Sequence, residues 1–568
     1  MNSEAGFKGN QTRRNILKTA IAAAVLPLAN AEAISLRAAT TPAKQASPAA
    51  IKAQRQHWVA VAESLKPHLR ETIEAPLSVV HFAADSNVYL RWQQEVEAPG
   101  SDLPKRLLRK GDHFILDFGG HRTGHLQFRL VGEGNSVDAP VRLKITFGEV
   151  PGDVTEPLYP YHGNISSSWL AEEIITIDFL PQLVRMPHRY AFRYVKVEVM
   201  DTSPNFGVRF LETAAIALTS ARATAIQLPS GMPDWVRKVD RVCLLTLRDC
   251  MQTIFEDAPR RDQRLWIGDF RLQAKACYYT YPNFALVKRC LYLFAGLPRE
   301  SDGFLSSCVY EKPFPRTGGM YHLDYSALYA STLLDYARAS HDLEAARELF
   351  PVAQTQIEIL FQHVDENGIF HAPPETWVFI DWNKGLDLKA AMQGVLIYSG
   401  RRLCELATLI GNPSRTAALS RQLDKMSLAA REHFYDREKG VFTSGSGRQV
   451  SWASQAWLTL AGCLSRTEAA ETLRRVIVED KTSVRPNTAY LYHHVLEAMI
   501  ECGMVQEAMQ LIKSYWGGMI EDGADTFWEA YDPKDSTFSP YRDIHVNSFC
   551  HGWSATPSYF FRTMNRLT

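Results

Sequence analysis

The first 242 residues of this chain contain no cysteine, and the nine that follow, from Cys243 to Cys550, are odd in number and lack paired short spacings. That argues against a disulfide framework and against a zinc ribbon. Thiols in apolar helical contexts, such as Cys243, Cys290, Cys404 and Cys463, are expected to act as small hydrophobes. Net charge is missing too: 62 basic side chains cancel 62 acidic ones, so no global field recruits nucleic acid or anionic lipid. Beyond the first residues no run of about eighteen apolar residues occurs, which excludes a spanning helix from the mature chain. A phosphate loop, a dinucleotide fingerprint and a paired-histidine metal motif are all absent, so neither an organic cofactor nor a catalytic metal is expected.

What is present begins with an address. Thr12-Arg13-Arg14-Asn15-Ile16-Leu17-Lys18 precedes the apolar run Thr19 to Leu28, followed by the small residues of Ala29-Asn30-Ala31-Glu32-Ala33. A basic start, a short apolar stretch and small residues spaced for a peptidase describe a bacterial export signal of twin-arginine type over residues 1–33. The mature protein is then expected to be periplasmic or secreted. Residues 34–74 read as a leader and linker, rich in Ala, Thr and Pro at their start. The remaining length is enough for two domains.

From about residue 75 to 228 the pattern is that of strands. His113-Phe114-Ile115-Leu116-Asp117-Phe118 is a short run, Leu126 to Leu130 and Val141 to Phe147 alternate, and Tyr194 to Val199 follows. Period-two runs between Gly- and Asp-bearing turns imply an antiparallel β-sandwich. From 229 to 568 the period becomes helical, in Trp235–Phe255, Ala327–Ala339, Ala345–His363, Ala390–Ile410, Ala417–Phe434, Trp452–Leu464, Ala469–Val478, Tyr490–Cys502 and Val505–Trp516. With weaker stretches near 270–296 and 553–565 this makes about twelve helices, enough for an (α/α)6 barrel. An open solenoid is the alternative, though no short repeat supports it.

Three acidic segments carry the chemistry. Phe255 to Asp269 packs Glu256, Asp257, Asp262 and Asp269 among Arg260, Arg261, Arg264 and Trp266, and Pro259 and Gly268 break it into loop. Arginines hold carboxylates in fixed directions, and a carboxyl dried by a tryptophan keeps its proton as a general acid must. A solvated charge cluster or structural ion-pair network has the same composition. Asp522 to Asp532 sets Glu529 among aromatics, suited to activating water, or equally a helix-terminal charge. Thr376 to Asn383 places Asp381 between Trp377 and Trp382, where a loop aspartate capping the next helix is the plainer reading.

At these residues the chain resembles the α-L-rhamnosidases of glycoside hydrolase family 78. The motif residues are Asp257-Ala258-Pro259, Arg261-Asp262, Trp266, Gly268 and Asp269; then Asp381-Trp382, Thr526-Phe527-Trp528-Glu529 and Ser548-Phe549-Cys550-His551. In the β-rich part the matching stretches are Leu116 to Gly119, Phe147-Gly148-Glu149 and Phe192 to Val195. The resemblance implies a β-sandwich followed by an (α/α)6 barrel, a carbohydrate substrate, and inverting hydrolysis with Asp262 as general acid and Glu529 as general base. It implies substrate contacts from Asp257, Arg261, Trp266, Asp269, Asp324, Asp381, Trp382, Trp528 and His551. The chain departs from the family where Asp262 stands at a position often held by Glu, and Ala258 at one often held by Cys. Both changes bear on which sugar is taken. The competing readings are another barrel glycosidase, a polysaccharide lyase using Tyr321-His322 or Tyr492-His493-His494, and a sugar-binding protein without turnover. Oligomeric state is left open.

Overall fold

The computed structural model describes residues 47–567, so the export signal and the first part of the leader lie outside the described residues. Contacts divide the chain into residues 1–51 and residues 52–568. All that follows concerns the second unit, apart from residues 48–51 at the start of its first helix.

The expected linker holds two ordered elements. Helix α1 runs over Pro48–Ser64 and strand β1 over Arg70–Glu74. Most of α1 is exposed, and its sparse apolar residues give no stripe to read. Its C-terminal part is held to the helical core, with Ala62 buried in it and Trp58 and Val61 packed against it, and the Trp58 indole N–H donates to Glu348 at 2.6 Å.

The β-domain continues with β2 (Ser78–Ala84), β3 (Trp92–Pro99), β4 (His113–Gly134), β5 (Val141–Gly148), β6 (Glu172–Ile177), β7 (Gln182–Arg185), β8 (Tyr190–Asp201) and β9 (Phe206–Thr219), with a short helix α2 at Pro151–Thr155 after β5. All pairings are antiparallel, in the order β1-β9-β4-β8-β5-β6, with β2 and β7 also on β4. The runs His113–Phe118 and Leu126–Leu130 are parts of one 22-residue strand. Its register breaks between Asp117 and Arg122, and Gly119 there has a φ of +75° that a side chain would disfavour. The break folds the sheet over one core, in which Phe114 of β4 meets Phe210 of β9 at 5.1 Å and Phe147 of β5 meets Phe192 of β8 at 5.4 Å. This is the antiparallel sandwich the alternation implied.

Twelve helices follow: α3 (Asp234–Cys250), α4 (Ile267–Tyr279), α5 (Phe284–Gly296), α6 (Leu323–Ser340), α7 (Leu343–Phe361), α8 (Lys389–Leu409), α9 (Ala417–Phe434), α10 (Trp452–Leu460), α11 (Arg466–Leu473), α12 (Ala489–Glu501), α13 (Val505–Glu521) and α14 (Pro557–Leu567). The even-numbered helices pack in a ring, α4 on α6, α6 on α8, α8 on α10, α10 on α12, with α14 touching both α12 and α4. That last contact closes the barrel and removes the solenoid alternative. Inner helices such as α4 and α12 are buried on nearly every side, whereas outer ones such as α7 and α13 bury one face. The expected helix at 469–478 divides into α11 and a π-helical continuation at Arg474–Glu479. All nine cysteines are unpaired, and seven are buried.

Candidate active site

The N-terminal ends of α4 and α6 border one cavity of about 280 Å³. Its walls are loops that lead into those helices. Trp266 and His322 occupy the N-cap positions of α4 and α6 without making a side-chain cap, and loop carbonyls take the first N–H of each helix, Ile267 N–H donating to Ser307 at 2.9 Å and Leu323 N–H to Trp377 at 2.8 Å. Asp269 lies in the first turn of α4.

Backbone pairing draws the distant motifs together. The Glu529 N–H donates to the Ser548 carbonyl at 3.0 Å, and the His551 N–H to the Phe527 carbonyl at 2.8 Å. Gly552 N–H then donates to the Asp257 carbonyl at 2.7 Å, which joins this ladder to the Arg-rich loop. Within that loop the Arg264 N–H donates to Asp257 Oδ1 at 3.1 Å, and Gln263 takes a left-handed φ of 50° beside Asp262.

Of the expected site residues, Asp257, Arg261, Asp262, Trp266, Asp269, Trp382, Glu529 and His551 line the cavity. Three do not, and each has another task. Asp324 is fully buried and accepts the N–H groups of Phe379 at 3.0 Å and Ile380 at 3.1 Å, so it shapes the aromatic loop from behind. Asp381 accepts from Asn487 N–H at 2.8 Å and from Thr488 N–H at 3.0 Å, tying that loop to the start of α12 rather than capping the helix next in sequence. Trp528 turns away from its neighbour Glu529 and stacks on Tyr89 at 5.6 Å. These three belong to the support of the site and not to its wall.

Glu529 is held by three donors. Arg261 Nη2 lies 3.1 Å from Oε2, the Trp382 indole N–H donates to Oε1 at 3.0 Å, and the Tyr541 hydroxyl donates to the same oxygen. Burial nonetheless pushes the Glu529 carboxyl above the ordinary range, opposed by Arg261 and the two neutral donors. The same guanidinium reaches Asp262 Oδ1 at 3.5 Å, and Arg264 reaches Oδ2 at 3.4 Å. Asp257 is raised well above the usual carboxylate range by burial and by repulsion from Asp262 and Asp269. Asp269 is also raised well above that range, by burial first and then by Glu529 and Asp262. Burial, with Arg261, drives His551 far below the usual histidine range and keeps it neutral. The indole N–H of Trp266 and Nδ1 of His551 are buried without a hydrogen-bond partner and can serve a ligand hydroxyl.

Sequence reasoning missed Tyr541, Trp169 and Tyr325, which also line the cavity. Tyr541 sits in an irregular stretch with no periodic signal, and Trp169 comes from the β-domain. Phe379 and Trp553, stacked at 5.8 Å, add flat aromatic surface from two further loops. His493 and His494, which the lyase reading used, are buried on α12 outside the cavity.

Comparison with known proteins adds to this geometry. The family model described as glycosyl hydrolase family 78 alpha-rhamnosidase N-terminal domain matches residues 76–217, and that of the bacterial alpha-L-rhamnosidase 6 hairpin glycosidase domain matches 232–564. A rhamnosidase from Klebsiella oxytoca, solved with rhamnose bound, is 40% identical, with a TM-score of 0.87 over 90% of this chain and 99% of its own. The GH78 family rhamnosidase of Bacillus sp. GL1 shares 20% identity and a TM-score of 0.67 over 79% of this chain and 46% of its own. The Streptomyces avermitilis α-L-rhamnosidase complexed with L-rhamnose shares 16% and 0.63, over 88% and 44%. These last two share the fold, and this chain spans less than half their length. No curated protein matches the chain.

Proposed function

This chain belongs to glycoside hydrolase family 78, and from that premise we propose that it is an exported α-L-rhamnosidase that removes a terminal sugar with inversion, Asp262 acting as general acid and Glu529 as general base. The observation that carries the reading is the shared arginine. One planar guanidinium touches both carboxylates, at 3.5 and 3.1 Å, inside a cavity sized for a single sugar ring. The contacted oxygens are therefore at most about 9 Å apart, under the upper end of the roughly 6.5–9.5 Å that admits a water in single displacement.

In this mechanism Glu529, fixed by Arg261, Trp382 and Tyr541, takes a proton from water attacking the anomeric carbon. Asp262 donates its proton to the glycosidic oxygen as the bond to carbon breaks. Asp257 and Asp269, held toward the protonated form, donate to sugar hydroxyls, and Trp266, Phe379 and Trp553 cover its apolar face. Rhamnose as the sugar rests on the Klebsiella oxytoca relative. Export rests on the Arg13-Arg14 segment and its apolar run.

Turnover of a nitrophenyl α-L-rhamnoside, followed by NMR, tests this. The first-formed anomer is expected to be β; Glu529→Gln is expected to lower kcat on this substrate by about 10²–10⁴, and Asp262→Asn to do so on a rhamnoside with an unactivated sugar leaving group. An α-anomer appearing first, or an Asp262→Asn protein as active as the unmutated one on the unactivated substrate, overturns the mechanism.

A further inference from the structure

The two carboxylates of the site are held unequally. Glu529 has three donors, whereas Asp262 touches two guanidinium groups alone among the described residues, Arg261 at 3.5 Å and Arg264 at 3.4 Å. Arg261 is committed elsewhere, since it lies closer to Glu529, at 3.1 Å, and its guanidinium stacks 4.1 Å from the centre of the Tyr541 ring. Arg264 has no carboxylate partner but Asp262 among the described residues.

A row of cross-strand neighbours fixes Arg264. Leu265 and Trp266 pair antiparallel with Val309 and Cys308, so the next position along this ladder sets Arg264 beside Tyr310. On its other side Tyr310 pairs with Arg316. Neighbours across a sheet share a face, and here the Arg264 guanidinium lies 4.4 Å and that of Arg316 4.8 Å from the centre of the Tyr310 ring. A guanidinium stacks readily on an aromatic face, which keeps its planar fork in one orientation. Trp169 of the β-domain stands 5.9 Å from the same Arg264 guanidinium. The Arg264 backbone is fixed as well: its N–H donates to Asp257 Oδ1 at 3.1 Å, and its carbonyl accepts from the Asp257 N–H at 2.9 Å.

This placement suits a proton donor. A carboxyl group has about four lone-pair positions, so one arginine on each oxygen leaves room for the proton that is given away. When that proton goes to the glycosidic oxygen, Asp262 becomes an anion, and its attraction to Arg264 grows as the charge forms. An interaction that strengthens toward the transition state speeds the step instead of merely tightening binding.

We propose that Arg264, stacked on Tyr310, is the positioning residue of the general acid: it aims Asp262 and stabilises the charge that proton donation leaves there. The inference rests on the role given to Asp262 above.

The test compares kcat of the full chain on two substrates. The leaving group of p-nitrophenyl α-L-rhamnoside departs without a proton, whereas the sugar leaving group of an α-L-rhamnosyl disaccharide requires one. Arg264→Met and Tyr310→Leu are each expected to lower kcat about tenfold or more on the disaccharide and no more than about threefold on the nitrophenyl rhamnoside, where retained activity shows that the variants fold. Tyr310 does not line the sugar cavity, so its replacement acts on Asp262 through Arg264. Tyr310→Phe keeps the ring face and is expected to retain at least about half of the disaccharide rate. Equal losses on the two substrates, or no loss on the disaccharide, overturn the proposal. A split for Arg264→Met without one for Tyr310→Leu overturns the role of the stack. Asp262→Asn is the reference: if it shows the split and the other two variants do not, the positioning role alone falls. If Asp262→Asn shows no split, the acid assignment fails and the positioning role with it, and an unmutated protein that turns over neither substrate removes the rhamnosidase reading and both roles.

Discussion

Glu529 keeps a charge where burial opposes one, and the donors around it decide how much of that charge survives at a given pH. In the proposed mechanism Glu529 is the base and works ionised, so activity is expected to fall as pH drops through its pKa. Burial has raised that pKa, and the Tyr541 hydroxyl, by donating to the charged form, lowers it part of the way back. Tyr541→Phe removes the donor, raises the pKa further and moves the acidic limb of kcat/KM toward higher pH, with kcat near neutrality falling about tenfold, the loss of a charged hydrogen bond being worth roughly 1.5–3 kcal/mol. A pH profile with an unmoved limb would show that the hydroxyl does not hold the charge. Asp381 shows the same physics away from the chemistry. Burial pushes it up to about 6 against the donors of Asn487 and Thr488, so its bonds to the start of α12 are strongest above that value.

At the scale of the element, α4 is the piece on which both halves of the site depend. It carries Asp269 in its first turn, takes Trp266 as its N-cap, and follows directly on the Arg-rich loop. Its close approach to α6 is possible because residue 268 is glycine. A Cβ there would come within 2.5 Å of the buried Tyr325 ring. Gly268→Ala is therefore expected to cost about 1–3 kcal/mol of stability through overpacking. It should also lower kcat more than tenfold, because relief comes by shifting the helix start that bears Asp269. Thermal melting and kinetics on the same sample check both. A variant with unchanged melting and turnover would mean that α4 and α6 have slack the packing does not show.

Across the whole molecule, the β-domain is bonded into the catalytic loop. Arg260, next to Arg261, is buried and clamps Asp153 of the β-domain at 2.7 and 2.8 Å, while also donating to the His545 carbonyl at 2.7 Å. His121, at the irregular turn of β4, lies 2.9 Å from Glu149 and 2.7 Å from Asp249 of α3. Breaking a buried pair leaves an unpaired charge, so Arg260→Met should cost about 3–5 kcal/mol and depress turnover with it. Denaturant unfolding and steady-state kinetics would register this, and an Arg260→Met protein of normal stability would show that the two domains do not depend on this clamp.

Much of this was legible along the chain because periodicity reports local burial. Alternation marked β5 and β8, and helical spacing marked most barrel helices. The motif residues Asp257, Asp262 and Glu529 stand out as charges in loops next to Pro259 and Gly523, and Asp269 as a charge at a helix start. Elements with little burial of their own gave no such signal, so α1 and β1 passed as linker, and the continuity of β4 was hidden by its break. Asp324, Asp381 and Trp528 looked like wall residues because composition names a side chain but not its direction. The sequence by itself determined which residues can be helix, strand or acid, since those follow from neighbours a few positions apart. Only the tertiary structure decided that α14 closes the ring, that Tyr541 and Trp169 reach the pocket, and that one arginine spans Asp262 and Glu529. Those are contacts between segments far apart in the chain, and no local pattern encodes them.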